Sequence, residues 1–363
     1  MAYAIKKGSD YFDVSTWSGD SSATTQIATS FSPDFVWIKN RSNTGGSGAA
    51  SHMLYDTVRG VQKELQTNLT DAEGTLSTGL NSFDSDGYKP GTSTTTNATG
   101  DTYVGWSWRG SNSSAVTNTD GSITSTVSAN STAGFSIVTY TGTGSVATIG
   151  HGLGVAPSFI IVKPTNISGA WKIYHSSLGA TQAIEFTTGT SATNSVYWNN
   201  TAPTNFVFTA GTAGAINSSG NNHVAYCFAE VEGFSKFGTW ETVSVGGTPA
   251  AGFVYTGFKP RLIIWKAVDT SNSYTSWGMQ DTERTTYNGD SETLHTLWGN
   301  SSSAEGTRGN GSSSGALGAN GFQIDFLSNG FNIKGGGNSE LASSGTYIYM
   351  AWAECPMKYA TAR

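Results

Sequence analysis

The residues able to do chemistry are few and scattered. Five histidines, His52, His151, His175, His223 and His295, could ligate a metal or carry protons. No two stand at metal-ligand spacing, and neither a His-Glu-x-x-His nor a Cys-x-x-Cys motif occurs. Asp84-Ser85-Asp86-Gly87 opens like a calcium loop but lacks the further oxygen ligands and the late glutamate, so a turn is expected there. Polysaccharide hydrolysis would need two carboxylates about 5 to 10 Å apart. The candidates Glu230, Glu232, Glu283, Asp325 and Glu354 are dispersed, and Glu230 and Glu354 follow equivalent aromatics, Phe228 and Trp352, which reads as a structural feature. No Gly-x-Ser-x-Gly elbow or phosphate loop is present. The expectation is therefore a protein that is not an enzyme, with no catalytic, cofactor-binding or metal residues. One candidate ligand contact stands out: Trp198, in Val196-Tyr197-Trp198-Asn199-Asn200-Thr201, where an aromatic face beside amides could stack on a pyranose. Cys227 and Cys355 lie far apart at non-equivalent positions, and a disulfide would need their Cα atoms within about 7 Å, so two buried free thiols are expected.

The elements that would position these residues are β-strands. The 363 residues suffice for two or three domains, each with its own core. Only 12% of residues are charged, while Gly alone fills 46 positions and Ser, Thr and Asn are abundant, a composition that solvates surfaces and builds turns without charge. Aromatics at 12% exclude a disordered chain. A net charge of -6 gives no footprint for nucleic acid. No apolar run approaches the roughly 18 residues of a membrane span, and the opening Met1 to Lys7 lacks the apolar region of a secretory signal.

The chain repeats itself three times. Tyr11 to Asp20, Phe135 to Gly144 and Phe234 to Val243 each read as a strand with an aromatic late in the run. A second signature follows as Pro33-Asp34-Phe35-Val36-Trp37-Ile38-Lys39, Pro157-Ser158-Phe159-Ile160-Ile161-Val162-Lys163 and Pro260-Arg261-Leu262-Ile263-Ile264-Trp265-Lys266. Proline belongs at a strand's first residue, and the apolar run behind it suits a strand buried on both faces. The lysine is expected to mark the strand's return to solvent. Third come His52 to Asp56, Trp171 to His175 and Trp277 to Asp281, which place His175 where the sister copies carry Asp56 and Asp281. The copies end in Tyr103 to Trp108, His223 to Phe228 and Tyr347 to Trp352.

Residues 57–69 have helical apolar spacing, but Lys63 to Asn68 matches His295 to Asn300, and Ala183 to Thr188 alternates like a strand, so a strand is expected. Phe83-Asp84-Ser85-Asp86-Gly87-Tyr88 and Phe326-Leu327-Ser328-Asn329-Gly330-Phe331 predict hairpins. The expected fold class is all-β: three tandem β-sandwich or jelly-roll-like modules of about 100 residues. The expected division is an N-terminal segment 1–10, modules at 11–110, 135–233 and 234–363, and a Ser/Thr/Asn-rich join at 111–134.

Gly150 to Pro157 with Ile161-Val162-Lys163, Ala225 to Gly238, Phe253 to Phe258, Phe326 to Phe331 and Tyr347 to Glu354 together resemble an uncharacterised family of virion proteins from tailed phages of marine bacteria, labelled as tail fibres. The resemblance covers nearly the whole chain. It implies a structural protein of the virion surface, made in the host cytoplasm and released by lysis. The implied partners are other virion proteins, further copies of the chain (a trimer by analogy) and host surface polysaccharide, with no nucleic acid and no membrane insertion. A tail-fibre or tail-tip adhesin is the first reading, a head decoration or head-fibre protein the alternative, and a polysaccharide depolymerase the third.

Overall fold

The computed structural model describes residues 5, 7–42, 51–111, 114–187, 189–245, 248–250, 252–269, 276–285, 288, 295–306, 323–334 and 344–354. The fold is all-β, built of β-sandwich modules, each with a large antiparallel sheet and a small one. The first large sheet runs Phe12–Ser18, Thr102–Trp108, Phe35–Asn40, His52–Asp56, Lys63–Gln66, Gly74–Thr75. The second runs Val116–Asn118, Ser125–Asn130, Phe135–Thr141, Asn222–Phe228, Phe159–Pro164, Lys172–His175, Gln182–Glu185, Ala192–Thr193. The third runs Thr248–Ala250, Ser235–Val245, Gly345–Ala353, Pro260–Ala267, Gly278–Asp281, Leu297–Trp298. In each, the strand that ends a repeat lies between that repeat's first strand and its proline-led strand.

Residues read as a join contribute two strands to the second sheet, paired to each other and to Phe135–Thr141. Their Ser/Thr/Asn composition hid an inward row of Ile123, Ser125 and Val127, all buried. Residues 63–66 form the expected strand, and both expected hairpins are present, closing at Asp84 with Gly87 and at Leu327 with Gly330.

The proline-led strand Phe35–Asn40 is buried at every position, and its pleat shows why. Val36 and Ile38 enter the module's own core with Met53, Tyr55, Tyr88 and Tyr103. Phe35 and Trp37 point the other way, into a second core that draws on all three modules. Ile160 and Val162 likewise enter their own module's core while Phe159 and Ile161 enter the shared one. In the third module the two cores are continuous.

At the centre of the shared core stand three repeat-equivalent aromatics. Trp108, Phe228 and Trp352 meet edge to face with ring centroids 6.0, 5.4 and 5.5 Å apart. That geometry is the favoured one for aromatic pairs, worth about 0.5–1.5 kcal/mol each beyond burial. The modules thus surround an approximate threefold axis within one chain. A second set of equivalents confirms the register: Trp17 stacks on Tyr103, Tyr140 on His223 and Trp240 on Tyr347 at 5.5, 5.2 and 5.1 Å.

Candidate functional site

The chemistry-bearing side chains gather at the three seams between modules. The residue ending the third repeated strand receives a hydrogen bond from a neighbouring module at two seams. Tyr226 Oη donates to Asp56 Oδ2 at 2.7 Å, and Trp106 Nε1 donates to Asp281 Oδ2 at 3.0 Å. At the third seam Met350 occupies the donor's position and has no hydrogen to give. There His175 reverses the polarity: its Nε2 lies 3.3 Å from the Tyr349 carbonyl, and its Nδ1 accepts from the Ser177 amide. The two contacts require the neutral Nε2–H tautomer. Burial pushes this imidazole down to about 4, which keeps it uncharged at neutral pH.

Each seam aspartate holds an arginine three residues on. Arg59 Nε meets Asp56 at 2.5 Å and its Nη1 meets Glu73 at 3.0 Å. Arg284 Nε meets Asp281 at 2.7 Å and its Nη1 meets Glu305 at 2.8 Å. Both guanidiniums are buried, and each also donates to a main-chain carbonyl, of Leu54 and of Met279. Glu305 additionally takes Arg41 of the first module at 2.7 Å. Against the cost of burial, His295, Arg284 and Arg41 hold its carboxyl far below the usual range. In the middle repeat Leu178 stands where the arginines stand, so the neutral His175 has no charge to balance.

The lysines do not return to solvent. Lys39, Lys163 and Lys266 are fully buried. At Lys39 and Lys163 the strand ends against a neighbouring module, and the ammonium reaches a carbonyl there as well as one beside it in its own strand. Lys39 Nζ bonds the Asn40 carbonyl and reaches that of Ser302 in the third module at 3.5 Å. Lys163 Nζ bonds the Pro164 carbonyl and reaches that of Thr70 in the first module at 3.3 Å. Burial pushes the three down to about 7, about 8 and about 7 in chain order. The strands that follow contribute the same kind of link. Trp171 Nε1 donates to the Gln66 carbonyl and Trp277 Nε1 to that of Glu185, while the equivalent His52 ring faces the backbone of Trp298 and accepts from Trp37 Nε1 at 2.8 Å.

Trp198 is corrected. It closes the short helix Ser195–Trp198, whose first turn is capped by the Asn194 side chain, and it is buried against Tyr174 at 5.8 Å. A ring enclosed in the core offers no face to a sugar.

The remaining histidines stay apart from these seams or from one another. His151 and His223 bond backbone groups within their own module, and burial lowers both. His295 lies by Glu305 at 3.5 Å. Asp84 pairs with Lys89 across its hairpin at 3.0 Å, as a turn residue does. Of the carboxylates weighed for hydrolysis, Glu230 pairs with Lys236, Glu354 with Lys259 and Glu283 with Arg261. Asp325 is buried in a small sheet and Glu232 is exposed. Cys227 is a buried free thiol, and Cys355 lies outside the described residues. No cluster of three or more metal-ligating side chains occurs among the described residues.

Sequence reasoning noticed the Asp56, His175, Asp281 equivalence but passed over the arginines. The signal was present, since Asp56-Thr57-Val58-Arg59 and Asp281-Thr282-Glu283-Arg284 share spacing. The chemistry of this constellation is to lock modules together through buried charge-assisted bonds, with each guanidinium held by two carboxylates and a main-chain carbonyl.

A family described as a domain of unknown function (DUF7483) matches residues 7–356. No curated protein and no solved structure matches the chain.

Proposed function

We propose, for a chain that belongs to the family described as a domain of unknown function (DUF7483), a structural role on the phage virion surface, as a tail-fibre or tail-tip adhesin that contacts host glycan. The observation that carries this reading is the use made of the buried ionisable groups. Asp56, Arg59, Lys39, Lys163, Asp281 and Arg284 serve the seams between three modules that share one core. A protein that must hold its shape outside a cell gains from that investment, because a half-satisfied polar network would be worse than an apolar core. Its polar, sparsely charged surface suits contact with hydroxyl-rich polymers. Of the carboxylates weighed for hydrolysis, Glu230, Glu283 and Glu354 are taken up in ion pairs, and we read the chain as non-catalytic.

Immunogold labelling of intact particles tests the role. Label at the tail tip is the expected result. Label over the head would move the chain to the capsid-decorating class, and unlabelled particles would remove the virion role. Release of reducing sugar from host polysaccharide by the purified protein would restore the depolymerase reading.

A further inference from the structure

We infer that the third module is held by an acid-sensitive clamp, in which His52 of the first module and His175 of the second close its two seams as neutral imidazoles. A proton on either ring loosens the third module, while the first and second stay joined. The two rings share one pattern of bonds. His175 Nδ1 accepts from the Ser177 amide of its own module, and its Nε2 lies 3.3 Å from the Tyr349 carbonyl of the third. His52 Nδ1 accepts from Trp37 Nε1 of its own module at 2.8 Å, and its Nε2 faces the backbone of Trp298 of the third. An N–H that points at Nδ1 leaves no place for a second hydrogen there. Protonation therefore breaks that bond in each ring and puts a charge on a buried group.

The surroundings of the two rings supply no counterion for that charge. Phe159 stands beside His175 on the neighbouring strand, Leu178 follows in its turn, and Tyr349 and Met350 lie across the seam. On its own strand Lys172 is taken up by Glu185. His52 is paired in register with Lys39 and faced by Arg284 of the third module, and both cations oppose a proton there. Trp37 and Trp106 pack against it. The carboxylates of that seam are engaged elsewhere: Asp281 by Arg284, and Glu305 by Arg284, Arg41 and His295. Burial holds both imidazoles below their ordinary value, His175 down to about 4. The seam between the first and second modules differs in kind. Tyr226, Asp56, Arg59 and Lys163 close it, and no histidine bonds across it among the described residues. The two histidines are not equivalent in the repeat, since Trp171 and Trp277 stand where His52 does, and Asp56 and Asp281 where His175 does. Each seam of the third module thus takes its imidazole from a different place in the repeat.

In an open seam each imidazole returns to its ordinary value of 6.5, whereas in the closed one it stays neutral well below that. As the pH falls from 6.5 the open form binds more protons, and the closed form loses ground roughly tenfold per pH unit. An equivalent amide bond crosses each seam and reports its closure. Glu73 donates to the Thr165 carbonyl between the first and second modules, Ser191 to that of Val268 between the second and third, and Glu305 to that of Arg41 between the third and first. The test follows hydrogen exchange of these three amides in the full-length protein from pH 7 to pH 5, each corrected for its intrinsic rate. Protection of Ser191 and Glu305 should fall roughly tenfold per pH unit relative to that of Glu73. His175→Gln keeps a side-chain donor without a titrating ring and should flatten the fall at Ser191, and His52→Gln should flatten it at Glu305. Parallel falls at all three amides of the wild-type protein, or no fall at Ser191 or at Glu305, would overturn the clamp whatever the variants do. A fall that persists in the double variant would overturn it as well.

Discussion

Tyr226 donates its phenolic hydrogen to Asp56 Oδ2 at 2.7 Å across a seam that joins two repeats, and Arg59 meets the same oxygen at 2.5 Å while its Nη2 donates to the Tyr226 hydroxyl at 3.1 Å. The hydroxyl is buried, and burial raises its pKa far above the usual phenol range, so it remains a donor at any pH the fold survives. One bond therefore couples the second module's sheet to the first module's ionic lock. Replacing Tyr226 with Phe removes a hydrogen bond to a charged acceptor and should cost about 1.5–3 kcal/mol. Urea unfolding measures it, and an unchanged midpoint would show the bond to be idle.

Arg59→Ala and Arg284→Ala each strand a buried aspartate. Breaking a buried pair on one side costs about 3–5 kcal/mol, so both variants should be strongly destabilised. Leu178, at the equivalent place in the middle module, has no ion to strand, and Leu178→Ala should cost clearly less. Equal losses at all three positions would mean that packing, not charge, dominates the seams.

Trp108, Phe228 and Trp352 make the modules interdependent. Truncating any one to Ala should cost about 3–5 kcal/mol. Scanning calorimetry should show a single endotherm with equal calorimetric and van't Hoff enthalpies, because no module buries its inner sheet face alone. Three separable transitions would contradict the shared core.

The buried lysines set a pH dependence. Their folded values, about 7 for Lys39 and Lys266 and about 8 for Lys163, lie below the unfolded 10.5. Between these limits the unfolded chain binds more protons, so stability rises with pH. The denaturation midpoint should climb from pH 7 to pH 9, and Lys39→Met should flatten that climb. Lys39 faces Glu305 and Arg284, whose opposing effects leave burial the dominant cause. A midpoint falling over this interval would refute the assignment.

The repeats, the strands and the hairpins could be read directly, because turn chemistry and side-chain period are local properties. The double-sided burial of Phe35–Asn40 was legible too, though not its reason: alternation says that both faces are covered, not that the second cover is another module. The lysine at the strand's end was misread for the same cause. Lys39, Lys163 and Lys266 look like solvent markers until the seam opposite them is known. Trp198 misled because its Asn-rich neighbours belong to a cap and a turn. His52 and His175 lay at opposite ends of the third shared strand, and only the seams show that both face the third module.

A true homotrimer must write every substitution three times over. Here the threefold arrangement is encoded in tandem, so each seam and each outer face mutates by itself. The exchange of an aspartate for His175, with its arginine partner's place held by Leu178, is one such private edit, and His52, where the sister copies carry Trp171 and Trp277, is another. The three modules keep one shared core while each outer face stays free to diverge.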